Sequence, residues 1–148
     1  MARVEFDPAR DYPLGTRRPE LVTTPSGLRQ NEVTLEALRA GSLVADDLRA
    51  TAETIRRQAA VALAAGRGAL AENLERAAEL AGVPAETVLE LYTALRPRRA
   101  TAEQLEAWAE RLERELGAPR TAAFAREALR VYEQRGLLAI DERSPAQI

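Results

Sequence analysis

The sequence has no cysteine, no histidine and no lysine among its 148 residues, and aromatic residues make up only 4%. Each absence removes a class of function. Without cysteine there is no disulfide framework and no thiolate nucleophile, a usage that fits a reducing cytoplasm. Without histidine the usual general base at neutral pH is missing, and so is the commonest metal ligand. The three serines, Ser26, Ser42 and Ser144, have no histidine to activate them. Serine and cysteine triads are therefore excluded, as are zinc sites built on nitrogen and sulfur. No apolar run approaches the ~20 residues that span a bilayer, and residues 1–10 lack the apolar stretch of a secretory signal. Basic charge rests on arginine alone, 21 against 23 acidic residues, for a formal net charge of −2. That balance offers no general attraction to nucleic acid or to an anionic membrane.

What is present is the balance of a soluble globular chain, with 30% charged and 46% hydrophobic residues. Much of the hydrophobic share is alanine. Alanine-faced helices bury little apolar area per residue, so the core should be thin. A thin core in a chain of this length suggests that a partner completes the burial.

Residues 1–33 read as an extended, proline-rich N-terminal arm, with Pro8, Pro13, Pro19 and Pro25 and the glycines Gly15 and Gly27. Proline at that density blocks both helix and sheet ladders. Alone, such an arm would be disordered, and it would order by lying over a partner.

Residues 34–148 read as one helical domain. Thr34 caps a short helix that Gly41 ends. A turn follows at 45–49, and Thr51 caps a longer helix with Ile55, Ala59, Ala62 and Leu63 on one face. Gly66 stops it by a left-handed conformation. The next helix, about 67–81, aligns Leu70, Leu74, Ala77, Ala78 and Ala81, and Gly82 closes it. Pro84 then occupies the first position of another helix, where its missing N–H costs nothing. Val88, Leu91, Tyr92 and Leu95 match the i, i+3, i+4, i+7 template, and Arg96-Pro97 ends the run. Thr101 and Gln104 form a capping-box pattern ahead of Leu105, Trp108, Ala109, Leu112 and Leu116, with Gly117 as terminator. The last helix begins near Pro119 and places Phe124, Ala128, Val131 and Tyr132 on one face before Gly136. No stretch alternates with period two. The expectation is an all-α fold, a compact domain of about five to six helices with the arm attached.

Motifs with chemical potential have plainer structural readings. Asp46-Asp47 are sequence neighbours and do not share a helix face; negative charge at a helix N-terminus accounts for them. Ala65-Gly66-Arg67-Gly68 lacks the strand and the lysine of a phosphate loop and reads as a helical corner. Arg96-Pro97-Arg98-Arg99 is a basic interhelix loop whose arginines would meet helix C-terminal carbonyls or partner carboxylates. Residues 82–95 are too acidic, at Glu86 and Glu90, for a DNA-reading helix.

An ordered series of short motifs carries a resemblance. It opens with Asp11-Tyr12-Pro13-Leu14, Arg18-Pro19-Glu20, Thr24-Pro25-Ser26-Gly27 and Thr34-Leu35-Glu36. It continues with Gln58-Ala59, Ala65-Gly66-Arg67, Leu70-Ala71 with Asn73, and Glu75-Arg76-Ala77-Ala78-Glu79-Leu80. Then come Val83-Pro84, Leu89-Glu90, Tyr92, Ala94-Leu95-Arg96-Pro97 with Arg99, Ala123-Phe124, Arg126-Glu127-Ala128, Tyr132, Arg135 and Leu137. Across residues 11–138 the order resembles the small subunit of the coenzyme-B12-dependent diol and glycerol dehydratases. The resemblance implies a heterohexameric hydro-lyase of large, medium and small subunits, two copies of each. Such enzymes convert 1,2-propanediol, glycerol or ethylene glycol to an aldehyde and water. It implies adenosylcobalamin held by the large and medium subunits and not by this chain. It also implies no catalytic, cofactor-binding or metal-binding residue here, because cofactors carry the hard chemistry and proteins position them. Relatives that enter bacterial microcompartments often carry a longer N-terminal extension than residues 1–10. A cytoplasmic location is therefore expected ahead of an encapsulated one.

The expected anchors on the partner are Tyr12, Leu14, Tyr92 and Trp108, as aromatic and apolar side chains. The competing reading is a free-standing helical adaptor or DNA-binding regulator, which would be a stable monomer or homodimer by itself. A relative of the factors that exchange damaged cobalamin is disfavoured, since the chain has no nucleotide loop.

Overall fold

The structure is a computed structural model that describes residues 6–140, and the chain is all-α. The first five residues of segment 1–33 and the last eight of segment 34–148, Ser144 included, lie outside the described residues. Two compact units divide at Ala81 and Gly82.

In the first unit, the proline-rich segment is built from short turns. Pro13 precedes a four-residue helix, α1 (Leu14–Arg17), and Pro19 opens a 3-10 turn through Leu21. Both are starting positions at which a missing N–H costs no helical bond. A second 3-10 turn spans Gln30–Glu32. Two bonds tie the segment to later residues: Arg57 donates to the carbonyl of Leu21, and Asp47 accepts from the Ser26 N–H. Within the segment, Thr24 Oγ1 accepts from the Leu28 N–H. The short helix α2 (Leu35–Arg39) starts where Thr34 Oγ1 accepts from the Ala37 N–H at 3.1 Å. Another 3-10 turn, Ala45–Leu48, leads to α3 (Ala52–Ala64), capped by Thr51 as its sequence indicates.

Helices α3 and α4 (Gly68–Leu80) form the body of this unit. Gly66 adopts φ +72° between them, and the Arg67 N–H reaches back to the carbonyl of Ala62 at 2.8 Å. Ala59 and Ala62 of α3 and Ala71 and Ala78 of α4 are buried. Side chains this small let two helices approach closely but remove little area from water. Leu14, Leu21 and Leu43 supply the larger buried groups. Leu63, expected on the inner face of α3, is exposed instead. The stripe that meets α4 is the narrower alanine row. Gly82 does not take the left-handed conformation expected of a helix terminator. The following Val83-Pro84 is enough to end the helix.

The second unit begins with α5 (Ala85–Ala94). Pro84 sits just ahead of it in an extended conformation, one residue earlier than its predicted place. Helix α6 (Ala102–Arg114) opens with the full capping box. The Thr101 N–H donates to Gln104 Oε1 at 2.9 Å, and the Gln104 N–H donates to Thr101 Oγ1 at 3.3 Å. Gly117, at φ +62°, turns the chain into α7 (Pro119–Arg135), which Gly136 ends at φ +63°. Leu91, Leu105 and Leu112 are the large fully buried side chains, joined by Ala109, Ala118, Ala122 and Ala125.

The buried row of α7 is thus Thr121, Ala122 and Ala125, not the predicted row through Phe124, Ala128, Val131 and Tyr132. Close packing of α6 on α7 selects the small residues, and the bulkier row is pushed toward the flank. Arg126 reinforces the pair by binding Glu106 and Glu113 of α6, each at 2.9 Å. The residues after α7 return to the loop before α6. The Arg98 N–H donates to the carbonyl of Leu137 at 2.7 Å, and the Ala139 N–H donates to that of Ala100 at 2.9 Å. So Arg98 meets the end of α7 through its backbone, in a left-handed conformation at φ +62°.

Candidate partner-binding surfaces

The first unit holds a groove of about 770 Å³ between the proline-rich segment and the α3–α4 pair. Leu14, Val22, Val61, Ala62, Leu70 and Leu74 give it an apolar floor, and Tyr12, Gln30, Thr54, Gln58 and Arg67 add polar groups. Tyr12 reaches the rim because Asp11 beside it is fixed. Asp11 is buried, and its carboxylate accepts from Arg10 Nε at 2.9 Å, the Asp7 N–H at 3.0 Å and Arg18 Nη1 at 2.6 Å. Arg10 foremost, then the Asp7 N–H, hold its carboxyl well below the usual carboxylate range, against a smaller upward push from burial. The Tyr12-Pro13 peptide that follows is cis.

A second such carboxylate lies at Asp47. It accepts from the Val44 N–H at 3.1 Å and the Ser26 N–H at 3.3 Å. Hydrogen bonding from Ser26 first, then Val44, lowers its pKa. Its neighbour Asp46 is exposed and pairs with Arg49. The two acidic neighbours face different surroundings, as expected from their spacing. Only Asp47 ties the proline-rich segment to the turn before α3.

The second unit has its own groove, of about 720 Å³, between α5, α6 and the loop joining them. Leu89, Thr93, Ala94, Ala100, Ala107 and Trp108 line most of it, with Arg99 and Arg111 at its margin. Trp108 is half-buried, and the Arg111 guanidinium lies 5.0 Å from its ring centre. Contact of a cation with an aromatic face fixes the ring without covering it.

The four expected anchors fall in three kinds of place. Tyr12 is 57% exposed at the rim of the first groove, and Leu14 is 9% exposed, forming part of its floor. Trp108 lines the second groove. Tyr92 is 54% exposed on α5, in the same unit. Sequence reasoning missed a further apolar surface. Leu35 and Leu38 of α2, with Val44 and Leu48 in the next turn, are all exposed. These residues carry no periodic signal, because each belongs to an element of five residues or fewer. The role of Asp47 was also invisible, since it depends on a bond to Ser26, 21 residues away in sequence.

Among the described residues, no group of three or more acidic side chains is placed to hold a metal ion, and no helix is long and apolar enough to cross a membrane. The picture is of a helical protein with an alanine-rich core that leaves several large apolar side chains exposed.

The family model described as dehydratase small subunit matches residues 8–139, and the chain belongs to that family. It is 46% identical over 132 residues to the propanediol dehydratase small subunit of Salmonella typhimurium, covering 89% of this chain and 76% of that one. It is likewise 46% identical over 132 residues to the propanediol dehydratase small subunit of Citrobacter freundii, covering 89% of this chain and 77% of the relative.

Proposed function

We propose that the chain is the small, non-catalytic structural subunit of a diol or glycerol dehydratase, a hydro-lyase that converts a 1,2-diol or glycerol to an aldehyde and water. The observation that carries this reading is the family match over residues 8–139. The similarity to propanediol dehydratase small subunits supports the diol part of it. The physical character of the chain agrees. It has no histidine or cysteine, and several of its large apolar side chains are exposed, where a larger subunit would cover them.

The partners in this reading are the large and medium subunits, two copies of each of the three chains, in the cytoplasm. Adenosylcobalamin would belong to those partners. The residues here do not fit it: the grooves of about 720 and 770 Å³ are of drug-ligand size. Neither would enclose a corrin ring with its adenosyl and nucleotide arms, and the chain has no histidine to bind cobalt. Nothing favours the free-standing adaptor or DNA-binding regulator. The Arg96–Arg99 loop stands alone as a basic cluster in a chain of net charge −2.

In the assembly, the family-like motif around Tyr12 and Leu14 would act as a unit, Leu14 holding the loop down and Tyr12 meeting the partner. Tyr92 and Trp108 would be anchors on the second unit. An obligate contact of this kind buries about 2,000 Å² or more. Co-expression with the two larger subunits, with affinity capture through the large one, tests the proposal. The chain should co-elute in fixed stoichiometry. Its recovery as a separate, stable homodimer that binds duplex DNA would overturn the reading.

A further inference from the structure

We propose that the groove of the first unit seats an apolar segment of a larger dehydratase subunit that carries one carboxylate, and that this carboxylate pairs with Arg67. The inference rests on the subunit reading above and adds the chemistry of the contact. Of the residues lining the groove only Arg67 is charged, and no acidic side chain lines it. Its guanidinium makes no ion pair within the described chain, whereas Arg18, Arg57 and Arg126 are all paired.

Arg67 lies in the corner between the end of α3 and the start of α4, and its side chain is exposed. The rest of the lining tells what accompanies the carboxylate. Leu14, Val61, Leu70 and Leu74 offer apolar contact, and the amides of Gln30 and Gln58 can bond a backbone laid across them. An arginine beside an apolar floor matches a carboxylate on an otherwise apolar segment. It would repel a basic one.

The test is made on the assembled complex. Each variant is co-expressed with the two larger subunits, and dissociation of the small subunit on dilution is followed by native mass spectrometry. Arg67→Glu should raise the dissociation constant by at least about tenfold, and Arg67→Gln should raise it less while flattening its salt dependence. Arg56→Glu makes the same change in net charge outside the groove and should leave dissociation near wild type. Arg67 is exposed, so the Arg67→Glu chain should keep the wild-type circular dichroism spectrum and melting temperature, which separates a lost contact from a lost fold. An equal effect of Arg67→Glu and Arg56→Glu, or none from either, overturns the inference while the subunit reading stands. Self-association of the isolated chain that Arg67→Glu abolishes would overturn it in favour of a second copy as occupant. Failure of the wild-type chain to join the larger subunits would remove both readings.

Discussion

Asp47 accepts a hydrogen bond at 3.3 Å from the backbone N–H of Ser26, 21 residues earlier in the chain. The bond joins two segments that have no regular secondary structure in common. With the second bond from Val44, it keeps the proline-rich segment against the turn that precedes α3.

Asp47→Asn should lower the melting temperature at neutral pH, and the deficit should depend on pH in a defined direction. The folded-state pKa of Asp47 is lowered from an ordinary value of 3.8. A carboxylate so shifted stabilises the fold at every pH above its unfolded value and loses that contribution as pH falls through the folded value. The gap between wild type and Asp47→Asn should be constant above about pH 5 and close below 3.8. Thermal melts by circular dichroism across that range check the sign. A gap that widens on acidification would contradict the assignment.

Gly117 and Gly82 should respond oppositely to alanine. Neither site crowds an added Cβ, so backbone conformation alone decides. Gly117 has φ +62°, and alanine there should cost about 1–2 kcal/mol. Gly82 has an ordinary φ, and alanine should be neutral or stabilise by up to about 1 kcal/mol through the unfolded chain. Urea unfolding of the two variants compares them directly.

Leu105→Ala or Leu112→Ala in α6 should cost about 2–5 kcal/mol, because each removes one of the few large side chains in an alanine-rich core. Leu63→Ala, at an exposed position of α3, should stay within about 0.5 kcal/mol of wild type in the isolated chain. If Leu63→Ala instead weakens assembly, α3 has a face toward the partner.

Tyr92→Ala should leave the melting temperature of the isolated chain nearly unchanged, since the ring is largely exposed. Under the anchor assignment it should weaken assembly with the larger subunits by about 2 kcal/mol, the scale of a hot-spot aromatic. Unchanged dissociation of the complex would remove Tyr92 from the interface.

Most of the helical body was legible in the residues themselves. Thr34, Thr51 and Thr101 mark helix starts because a cap bond is local, spanning three residues, and all three form. Gly66, Gly117 and Gly136 mark ends because only glycine takes φ near +60–70° at no steric cost. Periodicity told less about which face is buried. On α7 it pointed to Phe124 and Tyr132, but α6 packs on the smaller Ala122 and Ala125. The pattern records where apolar residues are, while packing distance decides which row goes inside. Tyr132 is held by a bond that no pattern announces, its hydroxyl donating to the carbonyl of Leu95 at 2.6 Å. The groove around Arg67 was hidden for the same reason. It is assembled from residues 12 to 74, and a corner reading of Ala65-Gly66-Arg67-Gly68 explains the turn without giving the guanidinium anything to do.

The claim that this chain works by packing and not by chemistry is tested most directly by reconstitution. The two larger dehydratase subunits are prepared with and without it, and diol turnover and solubility are measured as the chain is titrated back. Activity and solubility should rise together and saturate at one copy per large subunit, with no turnover from the chain alone. Full activity and solubility in its absence, or turnover of a diol by the isolated chain, would contradict the account.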